Sequence, residues 1–168
     1  MEVSFDFTKE DIWNYGKHIT LNIPKFKRRF IVNILMVPVV ICAIGYTMNF
    51  TIPLYILCGI GFTFVYVYIL NVVLKSKIIK LNSGEGGPLG KHVIEIGVNG
   101  IKDSLESREE NHSWEDITKI IQDKKYFYFH WSEISAHVIP KRAFEKDEEL
   151  KLFFSSVMDY FNKAALIK

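Results

Sequence analysis

Cysteine is scarce in this chain. Two occur among 168 residues, Cys42 and Cys58, and both lie inside a long apolar run. No disulfide framework can hold a soluble part together, and such usage is compatible with a reducing compartment. Charge is missing over a longer range. Residues 30–74 contain no Asp, Glu, Lys, Arg or His. A core helix or strand of a soluble domain needs no such run, whereas one membrane-spanning helix takes about 20 apolar residues. The stretch begins too far into the chain, and runs too long, for a cleaved signal peptide. Catalytic signatures are missing too. There is no Gly-x-Ser-x-Gly elbow, no His-Glu-x-x-His pair and no cysteine outside the apolar run. A non-enzymatic protein without cofactor or metal is the expectation. The net charge of +2 is small, and residues 75–168 hold equal numbers of basic and acidic side chains. Nucleic acid is therefore not an expected partner.

Within 30–74 the polar residues and proline of 48–53 interrupt the apolar pattern and predict a turn. Helices are expected over 30–47 and 53–74, with Pro38 kinking the first. Gly45, Gly59 and Gly61 suit close helix approach. The spans contain Asn33, Thr47, Thr63 and Asn71 but no ionisable relay, which argues against a pump or transporter. Lys25, Lys27, Arg28 and Arg29 stand before the first span, and Lys75, Lys77 and Lys80 follow the second. Cytoplasmic flanks carry the excess of Lys and Arg, so both termini are expected in the cytoplasm of a cell-membrane protein. The same cluster, Lys25, Lys27, Arg28 and Arg29, is a candidate contact for anionic lipid, beside the plainer role of fixing topology.

The soluble parts lie on either side of the hairpin. In 1–29, Val3, Phe5 and Phe7 alternate with polar residues and predict a short strand. Thr8 with Asp11 forms a capping-box variant that opens an amphipathic helix, and Pro24 ends or kinks it. That helix can lie on lipid, anchored by Trp13 and Tyr15, or on the protein's own soluble domain. Residues 82–90 are glycine-rich. No Gly-Lys-Ser/Thr closes them, so they read as a flexible linker and not a phosphate loop.

From residue 91 the apolar period becomes two. Asn99-Gly100 predicts a type I′ hairpin turn. Further strands are expected at 101–105, 111–114, 117–122, 126–131 and 136–140, followed by a helix over 145–164. With 132–135 as the connection, His130 would face His137, and Phe127, Phe129 and Trp131 would share the core face with Ala136 and Val138. Two cross-strand histidines begin a zinc site, but Glu133 is the one acid nearby and the set stays incomplete. The fold class is thus a membrane α-helical hairpin plus an α+β domain, a small bent antiparallel sheet closed by a C-terminal helix.

The Asn-Gly hairpin after Ile94-Glu95-Ile96, the Trp114-Glu115-Asp116-Ile117 corner, and Ile139-Pro140-Lys141-Arg142-Ala143-Phe144 carry a resemblance. With the two spans ahead of the sheet, the chain resembles the YcxB-like family of small bacterial membrane proteins. The resemblance implies a pleckstrin-homology-like domain over 91–168 on the cytoplasmic side. It implies no established activity, so no catalytic or binding residues carry over. From the residues themselves, Trp114 and Ile117 point into the core, Pro140 ends strand pairing, and Phe144 staples the helix start. Lys141 and Arg142 are candidate lipid or partner contacts, or else a solvated rim. Two functions remain open. One is a membrane-tethered binding or regulatory protein whose cytoplasmic module contacts lipid or a protein partner, a second copy of the chain included. The other is an immunity protein against a membrane-acting or secreted bacterial toxin.

Overall fold

The computed structural model describes residues 1–48, 51–84, 87–106 and 108–166. The expected turn at 48–53 and linker at 82–90 therefore lie partly outside the described residues. The chain divides into two units, Met1–Ile12 with Asn82–Lys168, and Trp13–Leu81. Helix α1 (Lys9–Asn22) begins in the first and ends in the second.

The helical unit contains two long apolar helices, α2 (Pro24–Thr47) and α3 (Ile52–Asn82). Proline stands at the first turn of α2, where its missing N–H removes no helical bond, and Ile23 before it is extended. At 1.5 Å per residue α2 is about 36 Å long and α3 about 46 Å, both beyond a hydrocarbon core of about 30 Å. Only 6 % of the most apolar window of each helix is buried, so neither is the covered core helix of a soluble domain. Both are long and apolar enough to span a bilayer. The helices reach further into their charged flanks than the apolar run alone indicated. The approach of α2 to α3 depends on Gly45, because a Cβ there would collide with Tyr55. Gly59 faces Ile41 at ordinary contact distance. Gly16 of α1 sits against Ile78 of α3, where an added Cβ would lie 2.8 Å from the Ile78 Cδ1.

The other unit holds two antiparallel sheets. Strands β1 (Glu2–Phe7), β2 (Gly90–Gly97), β3 (Gly100–Leu105) and β4 (Arg108–Ser113) form the first, in that order. Strands β5 (Lys119–Gln122), β6 (Tyr126–His130) and β7 (Ala136–Pro140) form the second. A short 3-10 turn, Lys141–Ala143, leads to α4 (Asp147–Ala165). Asp147, Glu148 and Glu149 occupy the first turn of α4, where carboxylates complement the helix dipole.

The N-terminal strand does not stand in a separate module over 1–29. It is an edge of the first sheet, with Val3 opposite Ile94 and Phe5 opposite His92. The boundary expected at residue 91 is incomplete for the same reason. Val3, Phe5 and Phe7 need a partner for their apolar face, and Ile94 and Ile96 supply it.

Two connections also differ from expectation. The β2–β3 loop is Val98–Asn99, flanked by the pair Gly97–Gly100. Gly100 opens β3 at φ +143°, and a Cβ there would overlap the His112 carbonyl oxygen. This glycine serves the close approach of β4 more than the turn itself. The β6–β7 connection has five residues, not four, so His130 pairs with Ala136 and does not face His137. A one-residue slip exchanges the faces. His137 accordingly joins Phe127, Phe129 and Ile139, while Val138 shares the face of Tyr128. Phe127 stacks on Phe154, and Phe144 packs on Phe127 and Phe153 at the start of α4.

Candidate functional site

Three strands of the first sheet place polar residues on the face that also carries Ile94, Ile96 and Ile101. On β2, His92 alternates inward with Ile94 and Ile96. On β3, Asp103 lies on the same face as Ile101. On β4, His112 pairs with Ile101. The register shift of β7 brings His137 to this group from the second sheet.

The four side chains form one hydrogen-bonded chain. The His92 Nε2–H donates to the Pro88 carbonyl oxygen at 2.8 Å, and its Nδ1 meets the Asp103 Oδ1 at 2.8 Å. The His137 Nδ1 reaches the Asp103 Oδ2 at 3.3 Å, and its Nε2 lies 2.9 Å from the His112 Nδ1. His92 stacks on Phe5 at 5.7 Å, and His112 stacks on Trp131 at 4.2 Å.

Counting protons assigns the donors. Carbonyl and carboxylate oxygens only accept, so both ring nitrogens of His92 carry hydrogen and the ring is a cation. Burial lowers the His92 pKa, but the Asp103 carboxylate and the Pro88 carbonyl outweigh it and hold the ring above its ordinary value. Burial would raise Asp103, yet hydrogen bonds from His137 and His92 hold it well below the usual carboxylate range. His137 donates to that carboxylate through Nδ1, and its Nε2 and the His112 Nδ1 share one hydrogen bond. Burial and the neighbouring His137 push His112 down. This chain of contacts links the two sheets. It does not converge on a point. Among the described residues no group of three His, Cys, Asp or Glu is placed to hold a metal ion.

A second cluster surrounds Asp11, which is 1 % exposed. The capping box forms as its residues suggest, with the Thr8 N–H and hydroxyl both 2.7 Å from the Asp11 Oδ2. The same carboxylate accepts from the Tyr126 hydroxyl at 2.7 Å and from two nitrogens of Arg142 at 2.7 and 2.6 Å. Arg142 also donates to the Asp6 carbonyl at 3.0 Å. Burial alone would raise the Asp11 pKa; the Arg142, Thr8 and Tyr126 hydrogen bonds lower it to about 2.

Of the residues singled out in the sequence, Arg142 is therefore engaged by β1 and α1. Lys141 places its ammonium 4.8 Å from the centre of the Phe127 ring and 3.3 Å from the Gln122 Oε1. Lys25, Lys27, Arg28 and Arg29 are all exposed on the opening turns of α2. The structure does not bring that cluster and Lys141 into one unit. Sequence reading passed over His92, Asp103 and His112. Their one signal was a polar residue at an inward position of a strand, which becomes readable only when the register is known. His130 is buried, and burial lowers its pKa.

No curated protein and no solved structure matches the chain. A family model does match, over residues 96–155, from the end of β2 into α4. That stretch carries Asp103, His112, Trp114, His137 and Arg142, while β1 and the three N-terminal helices lie outside it. Over residues 96–155, the chain matches the family described as YcxB-like protein, the one its hairpin, corner and β7 motifs resemble.

Proposed function

We propose that this chain is a membrane-tethered binding or regulatory protein without catalytic activity, with both termini in the cytoplasm. The observation that carries the reading is the collar of cations on two membrane-length helices. Lys25, Lys27, Arg28 and Arg29 open α2, and Lys75, Lys77 and Lys80 lie exposed towards the end of α3. Lys and Arg are retained on the cytoplasmic side during insertion. A four-stranded and a three-stranded antiparallel sheet followed by a helix is the order a pleckstrin-homology-like module would have. Such modules work by contact, an analogy at the level of fold. Val98, on the β2–β3 loop, and Ile134, on the β6–β7 connection, are exposed apolar side chains that offer contact to a protein partner. Lipid contact belongs to the α2 collar, where each cation at an anionic surface is worth about 1 kcal/mol.

Reporter fusions after Asn49 and after Lys168 test the topology, and an extracytoplasmic C-terminal reporter overturns it. Photo-crosslinking from positions 98 and 134 in the full-length membrane protein tests the contact. A discrete protein adduct that disappears when Val98 and Ile134 are changed to Ser supports the reading. Adducts to lipid alone move the contact to the bilayer. Sensitivity of a deletion strain to a toxin encoded next to this gene would replace regulation by immunity.

A further inference from the structure

Going beyond that reading, we propose that His92 is a pH-sensitive latch. It holds the segment entering β2 against the first sheet while both ring nitrogens are protonated, and it releases that segment on losing one proton. The latch stands on three geometric features. First, His92 meets acceptors on both sides, the Pro88 carbonyl oxygen and the Asp103 carboxylate, each at 2.8 Å. Second, between Pro88 and His92 the chain passes through Gly90 at φ +127°, a conformation that side-chain-bearing residues rarely adopt. Third, Asp103 is tied to His137 and through it to His112, so the carboxylate stays in place when His92 changes state.

A neutral His92 has one proton for two acceptors. A proton kept on Nε2 would leave a bare Nδ1 lone pair against an ionised carboxylate. A proton kept on Nδ1 preserves the bond to that carboxylate, and bonds to ionised acceptors are the stronger kind. The Pro88 contact is therefore the one given up. Residues 87–89 lead directly into β2, so the event loosens the chain where it enters the first sheet.

The groups facing His92 come from four directions. Asp103 on β3 favours the cation, as does the Pro88 carbonyl, while the positive charge of Arg108 on β4 opposes it. The Phe5 and Phe7 rings of β1 pack against it, at 5.7 and 5.5 Å, and exclude water. Asp103 in turn faces His92 and His137. His112, at the far end, faces His137, Glu110 and Asp116. The sign follows directly. A histidine pKa raised by its partners makes the closed latch fully stable below the ordinary histidine value, and the contact is lost as pH rises through the raised value.

Hydrogen–deuterium exchange on the full chain in phosphatidylcholine nanodiscs tests this between pH 5.5 and 9. Rates in peptides covering 87–92 are corrected for intrinsic base catalysis. The corrected rate should be flat at low pH and then rise by up to about tenfold per pH unit, the slope of one released proton. Peptides of β6 should show no such step. His92→Gln should abolish the step, and Asp103→Asn should move it to lower pH. A flat wild-type profile overturns the latch, as does a wild-type step that survives in His92→Gln. Should His92→Gln fail to fold, the wild-type ring decides. Its resonances, assigned through contacts to the Phe5 ring, must titrate in the range where exchange rises, and titration below 6.5 overturns the proposal.

Discussion

Arg142 grips both carboxylate oxygens of Asp11, at 2.7 and 2.6 Å, across 131 residues of sequence. Asp11 is buried, whereas half of the Arg142 side chain is exposed. The pair joins the first turn of α1 to the 3-10 turn after β7, and the Arg142 bond to the Asp6 carbonyl adds β1. The candidate roles for Arg142, lipid contact, partner contact and solvated rim, are all to be set against this engagement.

Arg142→Ala should destabilise the soluble unit by roughly 2 kcal/mol. Hydrogen bonds to charged groups are worth about 1.5–3 kcal/mol, and the exposed guanidinium reduces that through solvent screening. Lys141→Ala should change stability by less than about 1 kcal/mol, because its contacts lie at the surface. Denaturant unfolding of the two variants in one detergent checks the difference, and equal losses would show that Asp11 does not depend on Arg142.

Acid should unfold the protein through Asp11. Its carboxyl falls from 3.8 to about 2 on folding, a difference worth about 2 kcal/mol. A depressed carboxylate stabilises above its unfolded pKa, so this contribution is complete above about pH 4–5 and fades as pH falls through 2. Asp103 contributes in the same direction. Asp11→Asn should flatten the stability profile between pH 5 and 2, measured as denaturant midpoint against pH. An unchanged slope would remove Asp11 as a source of acid sensitivity.

Trp114→Ala should cost about 3–5 kcal/mol, as expected for truncating a buried aromatic. The ring is buried, stacks on Tyr160 at 6.0 Å, and donates its indole N–H to the Gly97 carbonyl at 2.8 Å. Trp114→Phe keeps much of the packing and loses that bond, with an expected cost nearer 1 kcal/mol before any packing loss. Thermal unfolding separates the two variants.

A fragment beginning at Gly90 should not fold alone. It lacks β1, whose Val3, Phe5 and Phe7 are buried against β2 and its neighbours. Burying each such side chain stabilises by about 1.5–3 kcal/mol, so their sum rivals the whole stability of a small domain, about 5–15 kcal/mol. The fragment also exposes β2 as a bare edge. Circular dichroism should report a disordered or aggregated fragment. Joining residues 1–8 to it through a flexible linker should restore β structure, and a well-folded fragment without them would refute the dependence.

Features that arise from local pattern are legible in the order of the residues. An uncharged run longer than one membrane thickness forces two apolar helices, because such surface has no stable place in water. Alternation of apolar and polar residues marked β1 and β2. The Thr8 and Asp11 pair marked the start of α1, since its capping bonds close within one turn. Trp114 and Ile117 were legible as core for the same local reason. Tertiary structure alone decided which strand β1 joins, because Val3, Phe5 and Phe7 would fit any apolar edge and only the closed sheet selects β2. It decided the partner of His137, since a single extra residue in the β6–β7 connection turns every side chain of β7 to the opposite face. It also brought Arg142 to Asp11 and His92 to Asp103. Hydrogen bonds between residues far apart in the chain leave no periodic trace in sequence, and they form only after the strands have fixed the distance between their ends.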